Sequence, residues 1–180
     1  MLQLYDPHDI FALCRSCAEA IGGCPASDYA ERVARLLFGT AAHESGEFLY
    51  NRQRGFPWAD LRGAFGLWQV ELGSILDSMD YLDEHGAVAR AAGAWLFRNS
   101  NAAPQWYKVH SQHSLTQMIS GWERAGCLFA RLHYLRVPEP ISDTAEMQAA
   151  YWKRYYNTKS GKGTVEGYLK HWANVKGYCQ

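Results

Sequence analysis

The residues best suited to chemistry lie in Ala41-Ala42-His43-Glu44-Ser45-Gly46 and in the later stretch Gly63-Ala64-Phe65-Gly66-Leu67-Trp68-Gln69. The first places a carboxylate, Glu44, where an apolar-patterned helix meets a glycine. The second is a glycine-rich turn carrying an aromatic and an amide, a combination that suits contact with a polar polymer. At roughly 100° per residue, Glu44 falls within roughly 20° of Leu37 and Val33 on the helix wheel, so it continues the apolar stripe. A carboxylate held there loses hydration, and the negative end of the helix dipole adds to the effect. Both favour the neutral acid near neutral pH, the form that donates a proton to a glycosidic oxygen. The expected chemistry is therefore acid-base catalysis on a sugar chain. A glutamate at a frayed helix end, turned into water, is the plain alternative.

Other chemistry-bearing residues are less persuasive. His43-Glu44 opens like the zinc-binding pattern His-Glu-x-x-His, but the fifth position is Glu47, so the two-histidine clamp is missing. His110 and His113 share a helical spacing without a third ligand, and surface histidines are expected. Arg52, Arg54 and Arg62 cluster beside the glycine-rich turn, where they would meet acidic groups or water. Trp68 and Gln69 are candidate ligand contacts, by ring stacking and hydrogen bonding; Trp68 as a core residue is the alternative. Tyr155-Tyr156-Asn157-Thr158 precedes Gly161-Lys162-Gly163. A tyrosine hydroxyl there could orient an acid, and Asn157 could end the helix while facing a cleft.

The elements that must hold these groups are helical. β-branched residues are scarce, with seven Val, five Ile and five Thr in 180 residues, too few for a large sheet. The spacing predicts helices over residues 7–21, from the Ser27-Asp28 cap with Glu31 to Glu44, and over 70–81, 84–98 and 112–136. The last is expected to break near Gly121 or Gly126. Ser142-Asp143 is expected to cap a helix reaching Tyr156, and Thr164 to open a final helix closed by Gly177. Residues 47–66 read as loops or a short hairpin. The fold class is thus mainly α, one domain over 1–180, with at most a small β-hairpin.

Composition narrows the function. Lys plus Arg equals Asp plus Glu at 18 each, which gives no electrostatic case for nucleic acid or an anionic membrane. No run approaches the roughly 18 apolar residues of a membrane span. The N-terminus lacks the basic and apolar regions of a secretory signal. Five cysteines, Cys14, Cys17, Cys24, Cys127 and Cys179, are expected as free thiols, with Cys14 and Cys17 as buried apolar groups. Most of the seven Trp and eleven Tyr, including Trp95, Trp106, Trp122, Trp152 and Trp172, are assigned to the core.

The order Glu44-Ser45-Gly46, then Gly63-Ala64-Phe65-Gly66-Leu67-Trp68-Gln69, then Tyr156-Asn157 with glycines after it, resembles that of soluble-type lytic transglycosylases. Goose-type lysozymes share that fold. Tyr151 to Asn157 and His133 to Pro140 are similar to small bacteriophage proteins of the same lysozyme-like superfamily. The resemblance spans residues 41–163. It implies cleavage of the β-1,4 bond between N-acetylmuramic acid and N-acetylglucosamine in peptidoglycan, with Glu44 as catalytic acid and no cofactor or metal. Ser45, Trp68, Gln69, Tyr156 and Asn157 are the implied substrate contacts. Two departures stand out: Trp68 replaces the family methionine, and Thr158-Lys159-Ser160 separates Asn157 from Gly161.

The implied partners are peptidoglycan strands and other virion proteins, in a phage virion or in host cytoplasm before export. Transglycosylation is expected from one embedded acid; a hydrolase would use a second carboxylate, for which Asp60 and Glu71 are candidates. Glu47, past Gly46, has no readable direction, and ordinary surface or capping charges are the expected reading of all three. A non-catalytic virion component and a zinc peptidase are the competing classes.

Overall fold

A computed structural model describes residues 5–22, 28–50, 63–157 and 161–179. Arg52, Arg54, Asp60, Arg62, Cys24, Ser27 and Thr158-Lys159-Ser160 lie outside the described residues. The described chain is mainly α with one small hairpin, as the composition predicts.

Helix α1 (Pro7–Ala20) starts where Pro7 fixes the first-turn geometry and Asp6 accepts the His8 amide at 2.9 Å. Helix α2 (Asp28–Glu44) packs on α1. Its apolar face, from Ala30 and Val33 to Ala41 and Ala42, is buried. It ends in a Schellman arrangement: the Glu47 amide bonds the Ala42 carbonyl at 2.7 Å, the Gly46 amide bonds that of His43, and Gly46 has φ +63°. Strands β1 (Ala64–Phe65) and β2 (Val70–Glu71) pair antiparallel around the glycine-rich turn, Ala64 opposite Glu71 and Phe65 opposite Val70. The hairpin is thus displaced from the 47–66 expectation toward the start of α3.

Helices α3 (Leu72–Glu84) and α4 (Gly86–Phe97) follow. The span expected over 112–136 is two helices, α5 (Gln112–Gly121) and α6 (Glu123–Leu135), broken at Trp122. Every residue from Ala125 to Leu132 is buried, and α6 meets α1, α2, α3, α4 and α5. The burial of this whole span, with Arg131 satisfied by the Ile21 carbonyl at 3.0 Å, makes α6 the central axis.

Helix α7 (Ala145–Trp152) is capped by Thr144, whose hydroxyl accepts the Met147 amide at 3.3 Å. This corrects the Ser142-Asp143 cap: Ser142 instead accepts the Thr144 amide at 3.4 Å. The helix runs on as a π turn, Lys153–Asn157. Helix α8 (Val165–Val175) opens at Thr164 and lies against α2 and α7. Gly39 makes the α2–α8 approach possible, because a Cβ there would collide with the Tyr168 hydroxyl.

Cys14, Cys17 and Cys127 are fully buried free thiols between α1 and α6, and burial pushes all three thiols up. Trp95, Trp106 and Trp152 are core residues, as assigned, whereas Trp122 and Trp172 are only partly buried against it. Among the described residues, no helix is long and apolar enough to cross a membrane.

Candidate active site

Glu44 is the last residue of α2, half-buried, on the stripe that its wheel position predicts. The indole N–H of Trp152, at the end of α7, donates to Glu44 Oε1 at 2.9 Å. Burial pushes the carboxyl up to about 7; the Trp152 bond pulls it down, and the charge of Glu71 pushes it up. Removing water from a carboxylate penalises the ionised form more than one neutral donor can repay. The outcome is an acid divided between its two forms near neutral pH, the condition for giving and retrieving a proton in one cycle.

Tyr156 approaches from the π turn. Its hydroxyl donates to the Trp68 carbonyl at 2.7 Å. Its ring lies 5.3 Å from that of Tyr134, and it is edge-on to His133 at 4.9 Å. Burial, then the charges of Glu44 and Glu71, hold this phenol well above its ordinary value. Glu44, Tyr156 and Glu71 therefore share one electrostatic neighbourhood, built from α2, the π turn and β2.

Asn157 ends the π turn. Its Oδ1 accepts Lys153 Nζ at 2.7 Å, and the same ammonium reaches the Gly161 carbonyl at 2.8 Å. With Oδ1 engaged by Lys153, the amide nitrogen turns toward Gly163. A Cβ on Gly163 would meet Trp152, Asn157 Nδ2 and His43 Nε2, at 2.5, 3.0 and 3.1 Å. Only a bare glycine lets this loop close over the Trp152 ring. Gln69 adopts a left-handed conformation, φ +48°, and its amide nitrogen folds back on the Gly66 carbonyl at 2.7 Å. Its side chain is half-buried beside β2 and braces the turn.

Two implied substrate contacts are corrected. Trp68 is fully buried, and its indole donates to the Leu37 carbonyl of α2 at 2.8 Å. Its ring packs on Gly126 of α6, so no face is free to stack on a sugar. Ser45 is also fully buried: its hydroxyl donates to the Ala41 carbonyl at 2.6 Å and accepts the Phe48 amide at 2.8 Å. Ser45 shapes the turn after Glu44 and does not face a ligand. Of the sequence candidates, the structure puts Glu44, Tyr156 and Glu71 within electrostatic reach of one another, sets Asn157 beside Gly163 near the Trp152 ring, and leaves Gln69 bracing the turn; Asp60 lies outside the described residues. Glu47 is turned away, accepting the Asn174 amide of α8 at 2.7 Å.

Sequence reasoning assigns Trp152 to the core and weighs His43 only as a zinc ligand, giving neither a place beside Glu44. Trp152 lies one helical turn before Tyr156, a spacing that puts both on one face and was the available signal. The His43 ring stands edge-on to Trp152 at 4.4 Å and 5.0 Å from His171. Burial first, then the neighbouring His171, lowers His43 to about 4, with the Gly167 backbone acting the other way. His43 is therefore neutral at physiological pH and buttresses the indole that holds Glu44. His110 bonds Ser114 at 3.3 Å. Among the described residues, no group of three His, Cys, Asp or Glu side chains is placed to hold a metal.

Compared with known proteins, the chain matches no family profile, no curated protein and no solved structure.

Proposed function

We propose that this chain cleaves the β-1,4 bond between N-acetylmuramic acid and N-acetylglucosamine in peptidoglycan, as a bacteriophage lytic transglycosylase of the lysozyme-like kind. The observation that carries the reading is Glu44: a half-buried helix-end carboxyl, anchored by Trp152 and balanced near pH 7. The motif order of Glu44-Ser45-Gly46, the Gly63–Gln69 turn and Tyr156-Asn157 supports it.

In the proposed reaction, neutral Glu44 gives its proton to the bridging oxygen as the C1–O bond breaks and an oxocarbenium-like centre develops. The C6 hydroxyl of the same muramoyl residue then attacks C1, and its proton returns to the Glu44 carboxylate. The products are a 1,6-anhydro ring and a new free hydroxyl on the departing sugar, with no water consumed. The half-buried Tyr156 phenol stays protonated throughout and holds the Trp68 carbonyl.

The decisive experiment is a peptidoglycan zymogram with wild type and Glu44→Gln. Clearing by wild type alone supports the reading. Clearing by both removes Glu44 from the chemistry, and clearing by neither favours a structural virion component.

Hydrolysis is the second reading, and Glu71 is the observation that favours it. This exposed carboxylate on β2 already raises the affinity of Glu44 for its proton, so it lies within electrostatic reach. A water activated there would give a reducing end in place of the anhydro ring, and mass spectrometry of the products separates the two outcomes.

A further inference from the structure

The Tyr155 carbonyl sits in the π turn at the end of a helix, where backbone acceptors have lost their intrahelical partners. His133, in the last turn of α6, meets it: Nε2 lies 2.7 Å from that oxygen. A carbonyl only accepts, so Nε2 must carry the proton. The other ring nitrogen is then a bare acceptor. Ser74 Oγ of α3 lies 2.8 Å from Nδ1, and Arg136 Nη2 lies 3.1 Å from it. Arg136 is held in turn by Asp77 of α3, at 2.9 Å. Two donors at Nδ1 and one acceptor at Nε2 leave a single tautomer compatible with every contact.

We infer that His133, locked as the Nε2–H tautomer by Ser74 and Arg136, is the positioning residue that holds the π turn following Trp152 and so sets Tyr156 on the Trp68 carbonyl and the Trp152 indole on Glu44. The same imidazole bonds the carbonyl before Tyr156 and presents its edge to the Tyr156 ring. It thereby controls both the backbone and the side-chain approach of that tyrosine. Its protonation would put an N–H on Nδ1 opposite the Arg136 guanidinium. Burial and Arg136 accordingly hold His133 below its ordinary value, while the Tyr155 carbonyl and Asp77 pull it the other way. The activity arm of the test rests on the peptidoglycan-cleaving reading; the spectroscopic arm does not.

Nitrogen-15 NMR of histidine-labelled wild-type chain at pH 7 should show His133 with a protonated Nε2 and a bare Nδ1. A Nδ1–H tautomer or an imidazolium overturns the inference. The second arm compares His133→Gln, whose amide N–H can still reach the Tyr155 carbonyl, with His133→Asn, whose amide falls short. His133→Gln should keep kcat within about three-fold of wild type. His133→Asn should lower kcat roughly 10- to 100-fold with little change in KM, the cost of a misplaced group near the chemistry. In His133→Asn, the Trp152 indole N–H resonance should titrate at lower pH, because a loosened π turn shifts the adjoining Trp152 and lets water reach Glu44. Wild-type kcat and an unmoved Trp152 midpoint in His133→Asn overturn the positioning role. A wild type that clears no peptidoglycan sinks the proposed activity, and the tautomer and the Trp152 midpoint still decide this inference.

Discussion

Trp152 Nε1 donates to Glu44 Oε1 over 2.9 Å, tying the end of α2 to the helix that leads into Tyr156 and Asn157. The bond favours the ionised carboxylate and opposes the effect of burial. Trp152→Phe keeps most of the packing and deletes the donor. The Glu44 carboxyl should then titrate above its present value of about 7. A hydrogen bond to a charged group contributes about 1.5–3 kcal/mol, so a rise of roughly one to two pKa units is expected. The alkaline limb of the pH–rate profile should move up with it. An unmoved or lowered limb contradicts the assignment.

Glu44→Gln should remove the proposed glycan-cleaving activity and change the response of stability to pH. Glu44 binds its proton more tightly folded, at about 7, than the ordinary 4.5. Its stabilising contribution is therefore full below 4.5 and lost as pH rises through 7. Urea unfolding at pH 4 and pH 8 should show Glu44→Gln gaining on wild type by on the order of 2–3 kcal/mol between the two. A difference that does not change with pH contradicts a half-dry carboxyl.

His43 acts with the opposite sign. Its folded value of about 4 lies below the ordinary 6.5. The unfolded chain binds the extra proton between those values, so this contribution is present above 6.5 and lost as pH falls through 4. In wild type the two adjacent residues nearly offset each other from pH 4.5 to 6.5. His43→Gln should expose the Glu44 slope, with stability falling as pH rises from 4.5 to 7. Glu44→Gln should expose the His43 slope, with stability rising from pH 4 to 6.5. Parallel curves for the two variants contradict this account.

Glycine substitutions test the packing of α2 on α8. Gly39→Ala drives a methyl into the Tyr168 hydroxyl, and overpacking of this kind costs about 1–3 kcal/mol. Gly73→Ala, in α3, meets nothing within 4 Å and should be neutral or stabilising by about 0.5 kcal/mol. The thermal midpoint should therefore fall for Gly39→Ala and hold or rise for Gly73→Ala, and a stabilised Gly39→Ala would contradict the close approach.

The sequence made the acid legible because its position obeys a local rule. Val33, Leu37 and Glu44 share one helical face, and the wheel carries that information without tertiary contacts. The helices were legible for the same reason, within a turn at most ends. The ambiguous cap came from three adjacent capping residues, Ser142, Asp143 and Thr144, of which only the path of the chain selects the last. The hairpin strands span two residues each, too short for a period to register. Trp152 was invisible as a partner of Glu44 because the two stand 108 residues apart. Trp68 was misassigned from a position in a motif. The pattern places a large apolar residue beside the acid, but Gly126 opens the space that swallows the indole, and that pairing exists only after α6 has packed.

Trp68 has a wider consequence. Its indole is pinned to the Leu37 carbonyl of α2, and its own carbonyl is pinned by the Tyr156 hydroxyl. One residue thus rivets three separate stretches of chain, and none can drift without dragging the others. A ligand arriving here would meet these three stretches already set and would not need to bend them into shape. Discrimination among ligands would then follow from their contours.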